Sequence, residues 1–152
     1  MIFLKKRLEK KGFPSMRVLI DTNVILDVLY KRKDFYDDSL RIWKLCETKQ
    51  LDGYISSLSI PNIVYILRRE LDSDKTFDII KKLSLVFHIC DLKEDMILKA
   101  AKMRWDDFED ALQIVTAEHI FAQFIISRNL KDFINSNVSA ILPCELIGRL
   151  DI

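Results

Sequence analysis

The sequence predicts an α/β protein, a three-layer α/β/α sandwich around a mostly parallel, five-stranded sheet. Three observations carry this. Short apolar runs of three to six residues alternate with longer amphipathic stretches. The runs are joined by helical segments rather than tight turns, which calls for parallel pairing through right-handed crossovers. The first run is apolar at every position, as a strand covered on both faces must be. At 152 residues the chain can bury roughly 70% of the surface its unfolded form exposes, so one core suffices without disulfides.

The elements follow in order. Residues 18–20, between Arg17 and Asp21, form the first strand and hand over to a helix at 23–31, with Thr22 or Asn23 available as its cap. A helix at 35–49 precedes a strand at 54–56. In the next helix, 60–71, Ile60, Ile63, Val64, Leu67 and Leu71 recur along one stripe, with Ser59 as cap and Pro61 in the first turn. A helix at 74–83, a strand at 85–90 and a helix at 92–103 follow. The helix at 107–121 turns Phe108, Ala111, Leu112 and Val115 inward. Strands at 124–126 and 140–142 and a terminal helix at 144–150 complete the pattern.

The breaker cluster Gly12-Phe13-Pro14-Ser15 divides a basic segment, residues 1–15, from a single domain at 16–152. That segment is expected to be an upstream misassigned start, with Met16 as the natural one, or a basic arm that touches RNA or a partner. Lys5, Lys6, Arg7, Lys10 and Lys11 against Glu9 give it +4 of a total of +1, which leaves −3 on the body. A mildly acidic body binds a polyanion only through local arginines and lysines or through a metal.

Composition excludes several classes. Cys46, Cys90 and Cys144 are far apart and outside any CxxC pair, which fits reduced thiols in a cytoplasmic protein. His88 and His119 lie at no zinc-ligand spacing. No apolar run approaches the ~20 residues of a membrane span, so no membrane partner is expected. Three glycines and no GxGxxG or GxxxxGK[ST] loop disfavour Rossmann or P-loop nucleotide binding.

The candidate chemistry gathers at strand ends. Asp21 closes the first strand, where ligands of open α/β sheets sit beyond the carboxyl ends; the alternative is that it only caps a helix. Asp107 and Asp110, three apart at the start of a helix, can point toward one spot, with Glu109 on another side. Acids there are also favoured by the helix macrodipole alone. Ser127, Arg128, Asn129 and Asp132 follow the fourth strand, with ordinary turn chemistry as the alternative for the polar ones and a solvated surface arginine for Arg128. If the sheet is parallel, these groups meet. An oxygen-rich pocket without His or Cys suits Mg²⁺ or Mn²⁺, ions that serve phosphodiester hydrolysis.

Four segments in order, Leu19-Ile20-Asp21-Thr22-Asn23-Val24, Ile55-Ser56-Ser57-Leu58-Ser59, Asp107-Phe108-Glu109-Asp110-Ala111-Leu112 and Ile125 through Phe133, resemble the PIN (PilT N-terminus) domain family, especially the VapC-like ribonuclease toxins. The resemblance covers Met16 to about Leu146. It implies a sheet of order 3-2-1-4-5 and RNA hydrolysis at a metal-bearing acidic pocket. Asp21 and Asp110 match metal carboxylates, with Asp107 as a further catalytic acid, and Ser127 matches the family's Ser or Thr. Asn62 stands where many members have Glu, and Asn129 where many have Asp, so metal affinity is expected to be lower unless Asp107, Glu109 or Asp132 compensates; Asn62, Ser127, Asn129, Asp132, Glu109 and Asn23 are the supporting candidates. Arg128 is a candidate phosphate ligand. The resemblance further implies an RNA substrate, a neutralising antitoxin and a homodimer, for which Phe35, Leu40, Trp43, Ile66 and Leu67 are candidate apolar contacts; the alternative is that all five belong to the core. The alternative is a catalytically weakened PIN-like module that binds RNA or protein, favoured by the two asparagines.

Overall fold

The computed structural model describes residues 15–150, and the basic segment ahead of Ser15 lies outside them. Five strands, β1 (Met16–Ile20), β2 (Leu51–Ser56), β3 (His88–Cys90), β4 (Phe124–Ile126) and β5 (Ala140–Ile141), form one sheet in the order β3-β2-β1-β4-β5. Every pairing is parallel, with Val18 opposite Gly53 on one side and Phe124 on the other. Seven helices cover the two faces: α1 (Thr22–Leu29), α2 (Tyr36–Glu47), α3 (Ser59–Leu67), α4 (Ser73–Val86), α5 (Glu94–Lys102), α6 (Phe108–His119) and α7 (Pro143–Arg149). A 3₁₀ turn spans Leu130–Phe133. No helix among the described residues is long and apolar enough to cross a membrane.

The alternation of β1 divides the core. Val18 and Ile20 face a large cluster with Val24, Ile42, Ile63, Leu83 and Leu146, contributed by α1, α2, α3, α4 and α7. Leu19 faces the opposite cluster with Met96, Ala100, Ala111, Val115 and Ile125, contributed by α5, α6 and β4. On β2, a Cβ at Gly53 would stand 2.5 Å from Cys46 Sγ and 3.1 Å from Phe87 Cδ1, so glycine lets α2 lie close against the sheet.

Several elements differ from the sequence reading, each for a packing reason. Strand β2 begins at Leu51 rather than residue 54, because Asp52 is held by Arg17 on β1, Nε to Oδ2 at 3.0 Å, and interrupts no pairing. The run at 85–90 is not one strand. Helix α4 continues to Val86, burying Leu83, Val86 and Phe87 at helical spacing and leaving Leu85 77% exposed. Neither Ser59 nor Thr22 caps a helix; their hydroxyls bond each other at 2.8 Å and tie the start of α1 to that of α3. Phe108, the first residue of α6, is 45% exposed rather than inward, whereas Ala111, Leu112 and Val115 are buried as expected. Of the apolar residues offered for association, Trp43 and Leu67 belong to the core, while Phe35 is 41% exposed.

Candidate active site

Parallel pairing carries the ends of β1 and β4 to neighbouring positions, so Asp21 and Ser127 emerge side by side. The Asp21 amide donates to Ile126 O at 2.9 Å, and the Ser127 amide donates to Ile141 O at 3.1 Å, extending both ladders by one residue. Ser127 Oγ then donates to Asp21 Oδ2 at 2.8 Å and accepts the Asn129 amide at 3.0 Å. Asp21 occupies the N-cap position of α1, yet its side chain makes no capping bond. The capping alternative therefore fails for this carboxylate. Burial pushes the Asp21 carboxyl above its ordinary range, opposed mainly by the Ser127 hydrogen bond.

Asp107, by contrast, does cap its helix. Its Oδ1 accepts the Glu109 amide at 2.9 Å and the Asp110 amide at 3.2 Å, which fixes the first turn of α6. Asp110, in that turn, is pushed up to about 7, first by desolvation and then by the charges of Asp107, Asp132, Asp21 and Glu109. These carboxylates sense one another because they share a single cleft of about 540 Å³. Asn23, Asn62 and Asn129 line it with them. Glu109, read from spacing as pointing to another side of its helix, lines the same cleft.

Arg128 does not line this cleft. Its Nε lies 2.8 Å from Asp27 Oδ2, an ion pair without hydrogen-bond alignment, and its guanidinium sits over the Phe35 ring, 4.0 Å from the centroid. Asp27 is fully buried and also accepts from Arg32 Nη1 at 3.2 Å and Ser39 Oγ at 3.4 Å. Nothing in the sequence spacing pairs residue 27 with residue 128; the adjacency of α1 and the turn after β4 does.

The sequence reading missed Gln113, Tyr65 and Arg69, all of which line the cleft. Gln113 follows Asp110 at i+3 on α6, and its Oε1 is buried without a hydrogen-bond partner among the described residues. An i+3 polar residue after an acid on a half-buried helix was the available signal. No three His, Cys, Asp or Glu side chains among the described residues form a ready-made metal cage. The donors present are nonetheless all hard oxygens: the carboxylates of Asp21 and Asp110 and the unsatisfied amide oxygen of Gln113. That set fits Mg²⁺ or Mn²⁺, which bind through one or two carboxylates and keep several waters.

Comparison with known proteins bears on the fold and the family. The family model of the PIN domain matches residues 17–131. Ribonuclease VapC1 of Aquifex aeolicus (strain VF5) is 26% identical over 140 residues, 89% of this chain and 96% of that protein. A toxin–antitoxin complex from Klebsiella pneumoniae contains a chain of the same fold, with a TM-score of 0.63 at 19% identity over 83% of this chain and 97% of that one. Mycobacterium tuberculosis VapC20, a sarcin-ricin loop cleaving toxin, gives 0.66 at 16% identity over 83% and 99%. With the family model spanning more than half of its length and the sheet order to match, the chain belongs to the PIN domain family.

Proposed function

We propose that this protein is a Mg²⁺- or Mn²⁺-dependent endoribonuclease that hydrolyses single-stranded RNA, acting in the cytoplasm as the toxin of a toxin–antitoxin pair. The observation that carries the reading is the convergence of Asp21, Asp110 and Gln113, whose buried Oε1 has no partner among the described residues, on one cleft at the carboxyl ends of parallel strands. The likeness to Ribonuclease VapC1 supports the reaction, and the fold shared with a toxin–antitoxin complex supports an antitoxin partner. Exposed Phe35 supports a homodimer contact.

An ion held by Asp21 and Asp110, with Gln113 Oε1 as a neutral donor, would supply Lewis acidity for water and phosphate. The protein's own part is positional. Ser127 holds Asp21 in one orientation, and the Asp107 cap fixes the turn that carries Asp110. Asn62 and Asn129 leave the cleft less negative than acids would at those positions. Those two neutral residues favour the second reading, a PIN-like module that binds RNA or protein without cleaving it.

The test is cleavage of single-stranded RNA by the purified chain with Mn²⁺, alongside metal titration calorimetry and Asp21→Asn as control. Metal-dependent cleavage that Asp21→Asn abolishes supports the enzyme. If the wild-type chain shows none and Asn62→Glu gains none, the binding-module reading replaces it.

A further inference from the structure

Helix α3 has two working faces. Ile63 and Leu67 enter the core, while Asn62, Tyr65, Ile66 and Arg69, at i, i+3, i+4 and i+7, run along one wall of the acidic cleft and into the turn after the helix. From Asn62 to Arg69 this wall extends about 10 Å at the helical rise. Five acids line the cleft, Asp21, Asp107, Glu109, Asp110 and Asp132, and among the lining residues Arg69 is the single base. The arginine that spacing nominated for phosphate, Arg128, is held by Asp27 instead. Tyr65 is 68% exposed, an aromatic ring left in solvent at the rim, and the Arg69 guanidinium stands over it, 4.9 Å from the ring centroid.

We infer that Tyr65 and Arg69 form a nucleotide-binding ledge on which a base of single-stranded RNA stacks against the Tyr65 ring while Arg69 meets a neighbouring phosphate. The inference rests on the ribonuclease reading for its ligand but not on metal or turnover for its test. A polyanion approaching a cleft lined by carboxylates needs a fixed cation at the margin, and the contact with Tyr65 preorients the Arg69 guanidinium there. Stacking on an exposed aromatic ring requires an unpaired base, which selects single strands over duplex and tolerates any base identity. The ledge shares one cleft with Asp21 and Asp110, so it would hold a nucleotide flanking the scissile phosphate and add binding without touching the reacting group.

The experiment is fluorescence anisotropy of the full chain with a short fluorescein-labelled RNA of mixed sequence, single-stranded or annealed to its complement, in EDTA. Tyr65→Ala should weaken single-strand binding by roughly 5- to 150-fold, and Tyr65→Phe should restore it. Arg69→Ala should weaken it and lower the slope of log affinity against log salt by about 1. Both side chains are at the surface, so melting temperatures should match wild type. In parallel, both alanine variants should raise KM for Mn²⁺-dependent cleavage with kcat little changed. Cleavage by wild type with affinities and KM unaffected by either substitution overturns the ledge and leaves the nuclease standing. Absence of cleavage together with Tyr65-dependent binding removes the nuclease and supports the ledge. Equal affinity for duplex and single strand, or a wild type that binds no RNA, overturns the ledge.

Discussion

Ser127 Oγ donates a 2.8 Å hydrogen bond to Asp21 Oδ2, joining residues 106 positions apart in the chain. Ser127 is fully buried, so this bond is made without competition from water, and it opposes the desolvation that raises the Asp21 carboxyl. Ser127→Ala should therefore cost about 1–3 kcal/mol of stability, because the Asp21 carboxylate and the Asn129 amide lose a partner. It should also raise the Asp21 pKa further and reduce cleavage at neutral pH. Urea melts and a pH–rate profile check both; unchanged values would mean that Asp21 is oriented by other groups.

Asp110 predicts a pH dependence. Its ordinary carboxyl value is 3.8, and the folded protein pushes it up to about 7, so the folded state binds this proton more tightly than the unfolded one. The sign follows. Its contribution to stability is fully present below about pH 4 and is lost as pH rises through about 7. Thermal melts in EDTA should show wild type losing stability over this interval relative to Asp110→Asn, and a variant that leaves the slope unchanged would place the effect elsewhere.

Substitution at Asp21 separates activity from folding. Asp21→Asn keeps an oxygen for the Ser127 hydroxyl but removes a charge from a cleft shared with Asp110 and Asp132. Cleavage should disappear, while Tm in metal-free buffer should rise by about 2–4 °C, the shift corresponding to ~1 kcal/mol in a chain of this size. Asn62→Glu should act in reverse, with tighter metal binding by calorimetry and a lower Tm without metal. A fall in Tm for Asp21→Asn would count against charge crowding as the dominant effect.

The buried Asp27 carboxylate tests the scaffold behind the site. It is met by Arg32, Arg128 and Ser39, and both arginines keep part of their side chains in solvent. Asp27→Ala should cost about 3 kcal/mol, the lower end for breaking a buried pair, since the released guanidinium groups can reach water. Because Arg128 sits between Ser127 and Asn129, the same variant should lower kcat without removing any cleft residue. A loss of stability with unchanged kcat would confine Asp27 to folding.

Much of the architecture was legible because it depends on local periodicity. Short apolar runs with long helical connections leave few topologies besides a parallel, doubly covered sheet, and the observed order β3-β2-β1-β4-β5 follows the family pattern carried by the motifs. Boundaries were less legible. At 85–90 a helix end and a strand start are both apolar, so only burial separates the exposed Leu85 from the buried Phe87. The stripe at Ile63 and Leu67 was readable, whereas the opposite face with Tyr65 and Arg69 showed no pattern of its own and was given meaning by the acidic wall facing it.

Local pattern is enough to mark the charged residues at the ends of strands and the starts of helices, since a carboxylate after an apolar run reports its position through local structure alone. Asp21 and Asp110 are candidates on that ground, and Ser127 on the polar turn that follows the fourth strand. What each group does there depends on the partners that the fold brings to it. Asp107 caps α6, Arg128 turns to Asp27 rather than to the cleft, and Gln113 lines the cleft while its buried Oε1 stays unsatisfied. The reason is physical: a hydrogen bond or ion pair is chosen among partners brought within about 3 Å, and parallel pairing alone brings residues 21 and 127 to that distance across 106 positions of chain.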